Sequence, residues 1–288
     1  MTHTLILGGG FGGLVVANAL RAELPQEHAI TVVDAVERFY VGAGKTWLML
    51  GERTFEQISR PRAALLDAGI TLIEARIDAI DLATGHVVVG DDELTWDYLV
   101  VALGADLDMT LVPGLADAAH TFYTVEGAER LAAEMARFVE GDLVILIPKT
   151  PFKCPPAPYE AAMLIHRALV ERGLRDRVRM AVHTVEGAPM ATAGPAMGQF
   201  IRDELAARDI AFFPQQATAH VDGAARRVVF EDGTEAPYDL LIAIPPHVAP
   251  AVVRDAGLVD AWGWIPVDPQ TLRLHTPGGA EGIFAIGD

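Results

Sequence analysis

The stretch Thr4-Leu5-Ile6-Leu7-Gly8-Gly9-Gly10-Phe11-Gly12-Gly13-Leu14 decides the fold of the first part of this chain. An apolar run typical of a buried strand precedes glycines that match the G-x-G-x-x-G spacing at Gly8, Gly10 and Gly13, with Gly12 between them. The first glycine allows a tight turn, the second lets a pyrophosphate approach the backbone, and the third lets the helix pack on the strand. The helix predicted over residues 14–24 would direct its N-terminus at the phosphate charge.

A second strand and two small turns extend this dinucleotide-binding pattern. Residues 30–33 form another apolar run, and Asp34 ends it about 20 residues beyond the loop, where a carboxylate holds a ribose hydroxyl pair. Two later strands end in small-residue turns, at Ala102-Leu103-Gly104 and at Gly287-Asp288. We expect both turns to contact the same ligand, which favours the longer dinucleotide FAD over NAD.

A further strand at residues 143–147 leads into a loop without glycines. This loop reads Pro148-Lys149-Thr150-Pro151-Phe152-Lys153-Cys154-Pro155-Pro156 and contains the only cysteine of the chain. Prolines lack the N–H group that a phosphate loop directs at a pyrophosphate. Cys154 follows a strand's C-terminal end, where doubly wound sheets bind ligands. We therefore predict a thiol site in place of a second phosphate site; the alternative for a lone cysteine is a small buried hydrophobe.

Strands and helices alternate along the chain, which predicts an α/β fold with parallel sheets and right-handed crossovers. In the second half, helical patterns at 125–139, 159–172 and 196–208 flank strands at 143–147 and 179–184. The predicted limits are residues 1–112 with 251–288 for the FAD-binding domain and 113–250 for a second Rossmann-like domain carrying the cysteine loop.

Composition excludes several classes of function. The formal net charge of −17 argues against nucleic acid as a partner, because such binding depends on Lys and Arg. The apolar runs stop short of the roughly 18–20 residues of a membrane-spanning helix. A single cysteine rules out an internal disulfide, and no Cys/His spacing resembles a zinc site, so no metal is expected. The strand at the N-terminus leaves no room for a signal peptide, and we expect a cytoplasmic location.

The block Lys153-Cys154-Pro155-Pro156-Ala157-Pro158-Tyr159-Glu160 carries a family resemblance, together with Ile244-Pro245-Pro246 and residues 263–272. It resembles sulfide:quinone oxidoreductases and the flavoprotein subunit of flavocytochrome c sulfide dehydrogenase, within the pyridine nucleotide-disulfide oxidoreductase superfamily. The resemblance extends from Leu5 to Asp288. It implies two Rossmann-like domains in the disulfide-reductase flavoprotein arrangement, FAD as cofactor, sulfide or a related small sulfur compound as substrate, and a quinone as acceptor.

The resemblance also implies roles for particular residues. Cys154 matches the first of two redox cysteines that cycle between disulfide and thiol or persulfide, and Glu160 matches a glutamate that moves protons. The first loop and the late Gly-Asp pair match residues that hold FAD. Residues 39–45 match the segment that carries the flavin-linking cysteine in flavocytochrome c relatives. Without a cysteine there, FAD is expected to bind noncovalently, with Lys45 as a cofactor-binding residue.

In the family, the chain continues beyond the equivalent of Asp288 with the second redox cysteine and a quinone-binding region that faces the membrane. Contact with the inner face of the membrane is therefore expected only through such a region, and homo-oligomers are compatible with the sequence. Three other interpretations stay open: an NAD(P)H-dependent flavin or disulfide oxidoreductase, a cytochrome-linked sulfide dehydrogenase flavoprotein, and a non-enzymatic flavin-binding fragment.

Overall fold

The computed structural model describes residues 2–275 and 282–288. The chain divides into two compact units. Unit 1 comprises Met1–Tyr40, Ser59–Asp106 and Val248–Asp288, and unit 2 comprises Val41–Ile58 and Leu107–His247.

The described strands, in chain order, are β1 (His3–Leu7), β2 (Ala29–Asp34), β3 (Arg38–Tyr40), β4 (Ser59–Pro61), β5 (Ile70–Glu74), β6 (Ala79–Asp81), β7 (His86–Val89), β8 (Asp92–Thr95), β9 (Tyr98–Val101), β10 (Asp106–Leu107), β11 (Gly141–Ile147), β12 (Val178–Thr184), β13 (Ile210–Phe213), β14 (Thr218–Asp222), β15 (Arg227–Phe230), β16 (Glu235–Pro237), β17 (Leu240–Ala243), β18 (His247–Val248) and β19 (Ile283–Ala285). The described α-helices are α1 (Phe11–Glu23), α2 (Lys45–Leu48), α3 (Phe55–Ile58), α4 (Leu115–Ala118), α5 (Val125–Arg137), α6 (Ala157–Glu171), α7 (Pro195–Ala206) and α8 (Ala251–Asp255).

Unit 1 is built on a parallel sheet with the strand order β19-β9-β1-β2-β5. Strand β1 is central, and Leu5, Ile6 and Leu7 are fully buried because both faces of the sheet are covered. Leu5 and Leu7 pack in one apolar cluster and Ile6 in another, as the alternation of side chains along a strand requires. The glycine loop therefore begins at the C-terminal end of this buried central strand.

Unit 2 repeats this plan with a parallel sheet in the order β13-β12-β11-β17. Residues 143–147 of β11 are all buried, again in clusters on opposite faces of the sheet. The loop that contains Cys154 joins the end of β11 to the start of α6. It occupies the same position in this unit as the glycine loop does in unit 1.

The predicted domain limits differ from this division in one segment. Residues 41–58 were expected in the first domain but group with unit 2. The physical reason lies at the end of helix α2, where Leu48 and the following residue, Met49, are buried in the same apolar cluster as Tyr123 and Leu131. The remaining limits shift to 106/107 and 247/248.

Candidate functional site

The glycine loop is shaped by close backbone packing. Gly8 has φ +97°, and a Cβ on it would overlap the carbonyl oxygen of Ala102. A Cβ on Gly13 would overlap the carbonyl oxygen of Gly8, so the helix can approach the strand only without a side chain there. By contrast, among the described residues no heavy atom lies within 4 Å of a Cβ built on Gly10. The loop is thus closed on the protein side and open at Gly10, the position at which a phosphate would approach.

The start of α1 leaves room for an anion. Gly10 is its N-cap, and within the described residues no side chain caps this end and no acidic residue lies in the first turn. Uncapped N–H groups and the helix dipole favour negative charge at this end. Gly12 lies in this first turn, and a Cβ on it would come within 3.3 Å of Ile286, beside the predicted Gly287-Asp288 turn. The structure thus brings the glycine loop and the late turn together within unit 1.

Asp34, at the end of β2, ties the loop to an arginine that sequence analysis missed. The Gly9 N–H donates to Asp34 Oδ2 at 2.7 Å and the Val36 N–H to Oδ1 at 2.8 Å, while Arg62 Nη2 lies 3.0 Å from Oδ1. Arg62 is buried and also donates to the carbonyl oxygen of Gly9. A carboxylate offers about four acceptor positions, so Asp34 retains one for a ribose hydroxyl, and its predicted ribose contact stays a prediction.

The other predicted cofactor residues of unit 1 line a common cavity. Its volume is about 340 Å³, and Gly104, Gly287 and Asp288 contribute to its wall together with apolar side chains such as Trp264. Ala102 lies next to this cavity, and the Ala102 N–H donates to the carbonyl oxygen of Leu7 at 2.7 Å. An open helix N-terminus, an acid–arginine pair and a partly apolar cavity in one unit fit a long dinucleotide with a ring system, as FAD is.

The thiol loop holds Cys154 exposed and in an unusual backbone conformation. Cys154 has φ +58°, a left-handed value that is uncommon for residues other than glycine. Its carbonyl oxygen accepts from the Ala157 N–H at 2.9 Å, so the residue is fixed directly before α6. Strained residues of this kind cluster at functional sites. Cys154 lies two residues before Pro156, the N-cap of the 15-residue helix α6.

Tyr123 is hydrogen-bonded to the thiol loop. Its hydroxyl donates to the Lys153 carbonyl oxygen at 3.0 Å, and its ring meets the edge of His247 with ring centroids 5.5 Å apart. Burial raises the pKa of Tyr123 well above its usual range, and negative charge at Cys154 and Glu186 adds to this rise. Tyr123 is therefore a neutral hydrogen-bond donor that holds the peptide preceding the cysteine.

Lys45, predicted as a cofactor-binding residue, lies in unit 2, and the charges of Lys153 and Cys154 on the thiol loop act on it. It begins α2 and is only 8 % exposed. Burial, together with the nearby charge of Lys153, lowers the pKa of Lys45 from 10.5 to about 8, and Cys154 opposes this shift. The structure thus groups Lys45 with Cys154, and a flavin contact of Lys45 stays a prediction.

Glu186 lies two residues beyond the end of β12, much as Asp34 lies at the end of β2, but its carboxylate accepts from different donors. The Tyr159 hydroxyl donates to Glu186 Oε2 at 2.6 Å, and Thr184 Oγ1 donates to the same oxygen at 3.2 Å. Tyr159 is buried, and burial also raises the pKa of Glu186, with both hydrogen bonds opposing the rise. The acid in the ribose-binding position of unit 2 is therefore engaged by a side chain from the loop helix. Sequence analysis missed Glu186, although its position after a parallel strand was a usable signal.

Glu160, the predicted proton carrier, lies in the first turn of α6 and is exposed. The Glu160 backbone N–H donates to the carbonyl oxygen of Pro156 at 2.9 Å. The helix places it near the loop and in contact with solvent, which suits exchange of protons with water. Its role stays a prediction.

A wider cleft of about 770 Å³ opens elsewhere in unit 2, lined by His120, Arg226 and Tyr238 among others. It lies at the start of β17, whose first residue Leu240 contributes to its wall. Ligands of doubly wound sheets bind at the opposite, C-terminal ends of the strands. We therefore place the candidate site at the thiol loop.

Neither a metal nor a membrane span is indicated by the described part of the chain. Among residues 2–275 and 282–288, no group of three His, Cys, Asp or Glu side chains is arranged to hold a metal ion. The helices in these same ranges lack the length and apolarity needed to span a bilayer.

Known proteins share both the sequence pattern and the fold. The pyridine nucleotide-disulphide oxidoreductase family matches residues 2–288. The chain belongs to this family. A mitochondrial sulfide:quinone oxidoreductase from Mus musculus is 26 % identical over 99 % of this chain, which spans 65 % of the length of that protein. An alternative NAD(P)H-ubiquinone oxidoreductase from Arabidopsis thaliana is 29 % identical over 67 % of this chain and 41 % of its own length.

Among solved structures, the sulfide:quinone oxidoreductase from Aquifex aeolicus matches with a TM-score of 0.86 and 24 % identity, over 100 % of this chain and 68 % of that one. These comparisons confirm the predicted α/β fold of the disulfide-reductase type. They also confirm the predicted resemblance to sulfide:quinone oxidoreductases and the membership among oxidoreductases.

Proposed function

We propose that this chain forms the FAD-binding and thiol-bearing part of an enzyme that oxidises sulfide and passes the electrons to a quinone. The observation that carries the proposal is the loop after β11, which presents Cys154 at the position of a phosphate loop. The names of the relatives from Mus musculus and Aquifex aeolicus support the same substrate and acceptor. Sulfide, quinone and noncovalent FAD are all part of this proposal.

The residues of unit 1 would hold FAD. The N–H groups at Gly10 and Gly12 would bind the pyrophosphate, Asp34 with Arg62 would face the adenosine end, and Asp288 would meet the ribitol chain. Gly8, Gly13, Ala102, Gly104 and Gly287 would shape the backbone around it. When bound, FAD would supply a two-electron acceptor.

Cys154 would receive the sulfur atom of the substrate. The thiolate is the reactive form of cysteine. In the balanced half-reaction, the Cys154 thiolate and hydrosulfide form a sulfur–sulfur bond and give a Cys154 persulfide, one proton and two electrons. The exposed carboxylate of Glu160 would pass that proton to water. A second redox cysteine and the membrane-facing quinone site would lie outside residues 1–288, as the resemblance implies.

Oxidation of NAD(P)H is the competing function, since the Arabidopsis thaliana relative is named for it. Two features of unit 2 oppose it. The loop after β11 offers prolines where a nucleotide needs N–H donors, and the Glu186 carboxylate already accepts from Tyr159 and Thr184. Both bonds end on Oε2, so a ribose would have to share this carboxylate with a buried tyrosine hydroxyl.

The substitution Cys154→Ser tests the proposed role of the thiol. The variant should bind FAD as the unaltered protein does, since Cys154 lies in unit 2 and the glycine loop lies in unit 1. Under anaerobic conditions it should lose reduction of the flavin by sulfide, with a rate lower by at least about 10³-fold, because the sulfur nucleophile is missing. Reduction by sulfide at an unchanged rate would contradict the proposal.

A further inference from the structure

We propose that Tyr123 is a positioning residue for the thiol: together with the start of α6, it imposes the left-handed backbone conformation at Cys154 and so sets the direction of the side chain. The inference rests on the thiol site of the proposed function and adds a residue to it. Tyr123 lies 30 residues before Lys153, whose carbonyl oxygen it holds, so the contact is made by the fold and not within the loop.

The loop sequence by itself favours a different conformation at Cys154. The φ angle of +58° lies in the left-handed region, which is unfavourable for every residue that carries a Cβ. The next residue is Pro155, whose ring favours an extended backbone with negative φ for the residue before it. Neither the residue type nor its neighbour accounts for the observed conformation. Contacts with the rest of the fold therefore have to supply the difference.

Two hydrogen bonds restrain the peptide groups on either side of the Cys154 Cα. The Tyr123 hydroxyl donates to the carbonyl oxygen of Lys153 at 3.0 Å. The N–H of Ala157, the first residue of α6, donates to the carbonyl oxygen of Cys154 at 2.9 Å. Because a peptide group is planar, restraining its oxygen restrains the whole plane. The two planes meet at the Cys154 Cα, and their orientations define φ and ψ there.

The fold holds both the ring and the backbone of Tyr123. Its side chain is buried in the main apolar cluster of unit 2. Its backbone N–H donates to Thr121 Oγ1 at 3.1 Å. The next residue, Thr124, is the N-cap of α5 and accepts from the Gly127 N–H at 3.0 Å. The hydroxyl that reaches the loop is therefore carried by a fixed side chain.

The conformation at Cys154 decides where its thiol points. The angle φ describes rotation about the N–Cα bond. Between the extended region and +58°, the Cα–Cβ bond turns by more than about 90° relative to the preceding peptide group. By holding that peptide group, Tyr123 selects the direction in which Cys154 is exposed. Without the hydroxyl, the extended conformation favoured by Pro155 would turn the thiol away from this direction.

The test compares Cys154→Gly with Cys154→Ala, each alone and combined with Tyr123→Phe, by urea unfolding of the whole chain at one saturating FAD concentration. Glycine adopts the left-handed conformation freely and alanine does not, whereas an extended backbone favours alanine, which has fewer unfolded conformations. With Tyr123 unaltered, we expect the unfolding constant of Cys154→Gly to be at least about threefold smaller than that of Cys154→Ala. In combination with Tyr123→Phe, this advantage of glycine should disappear.

Tyr238→Phe is the matched control, because it removes the hydroxyl of another buried tyrosine of unit 2, which packs in a different apolar cluster. The advantage of glycine should persist in this background. Every substitution in the set removes atoms and adds none, so the packing of unit 2 is kept.

A Tyr123 hydroxyl that only stabilised the fold would act equally on both Cys154 variants and leave the ratio of their unfolding constants unchanged in Tyr123→Phe. That result would overturn the inference. Equal constants with Tyr123 unaltered, or loss of the ratio in Tyr238→Phe, would overturn it as well. Sulfide is absent and no flavin is reduced in this experiment, so its outcome is independent of the Cys154→Ser result that tests the proposed function.

Discussion

Gly10 and Gly13 belong to one motif but should respond differently to the same added methyl group. In Gly13→Ala the Cβ would overlap the Gly8 carbonyl oxygen, so helix and strand must separate, and we expect a loss of stability of about 1–3 kcal/mol or more. Gly10→Ala adds its Cβ in open space, so stability should change by less than about 1 kcal/mol while FAD affinity falls, because the methyl group stands where the pyrophosphate would approach. Urea unfolding of the apoprotein and titration with FAD separate the two effects. If the two variants lost stability and FAD affinity to the same extent, the different roles assigned to Gly10 and Gly13 would be contradicted.

Lys45 should lower the stability of the fold at neutral pH. Its pKa is about 8 in the folded protein against 10.5 in the unfolded chain, so the unfolded state binds more protons between these values and stability rises with pH there. Below pH 8 the penalty is complete, at about 2–4 kcal/mol. We therefore expect Lys45→Met to be more stable than the unaltered protein at pH 7, with a difference that shrinks as pH rises from 8 toward 10.5. The free energy of unfolding at pH 7 and at pH 10 measures it; a gap that grows with pH would contradict the assignment.

The hydrogen bond between α6 and the end of β12 provides a test at the scale of elements. Tyr159→Phe keeps the buried ring and removes the hydroxyl that donates to Glu186 at 2.6 Å. It leaves a partly buried carboxylate without that donor, so we expect a loss of about 1–3 kcal/mol. Glu160→Gln, on the exposed side of the same helix, should change stability by less than about 0.5 kcal/mol. Equal losses in the two variants, measured by urea unfolding, would show that the pair does not anchor the loop helix.

Periodicity and loop chemistry were enough to predict the three long helices of unit 2 and its strands β11 and β12 from sequence. The predicted helices 125–139, 159–172 and 196–208 correspond to α5, α6 and α7, with ends that differ by at most two residues. The strand before the thiol loop was also predicted, because a fully buried parallel strand is a continuous apolar run. These features depend on local pattern, which a single sequence carries.

The contacts of the candidate site were harder to predict from the sequence, because they join segments that are distant along the chain. Arg62 pairs with Asp34 from a short turn with no motif of its own, and the charges of the thiol loop act on Lys45 because α2 packs in the unit 2 core. No helix or strand was predicted over residues 41–58, so the assignment of this segment to a unit depended on the burial of two side chains, Leu48 and Met49. Glu186 is the exception, since its place just beyond β12 resembles that of Asp34 at the end of β2.

At the scale of the whole molecule, the two units share one plan and differ in the loop after the central strand. Unit 1 places the glycine loop after β1 and an acid at the end of β2, and unit 2 places a thiol after β11 and, beyond β12, an acid that accepts a hydrogen bond from Tyr159. This difference would turn one nucleotide fold into a cofactor site and the other into a sulfur site. The chain as a whole should therefore accept electrons from a sulfur compound in preference to a nicotinamide.

An anaerobic titration of the FAD-loaded protein with sulfide and, in a parallel cuvette, with NADH tests this claim most directly. The readout is the flavin absorption band near about 450 nm that FAD proteins show when oxidised. We predict that sulfide bleaches the band and that NADH at the same concentration does not. Bleaching by NADH alone would contradict this claim, because unit 2 would then bind a nucleotide despite its proline loop and the hydrogen bond between Tyr159 and Glu186.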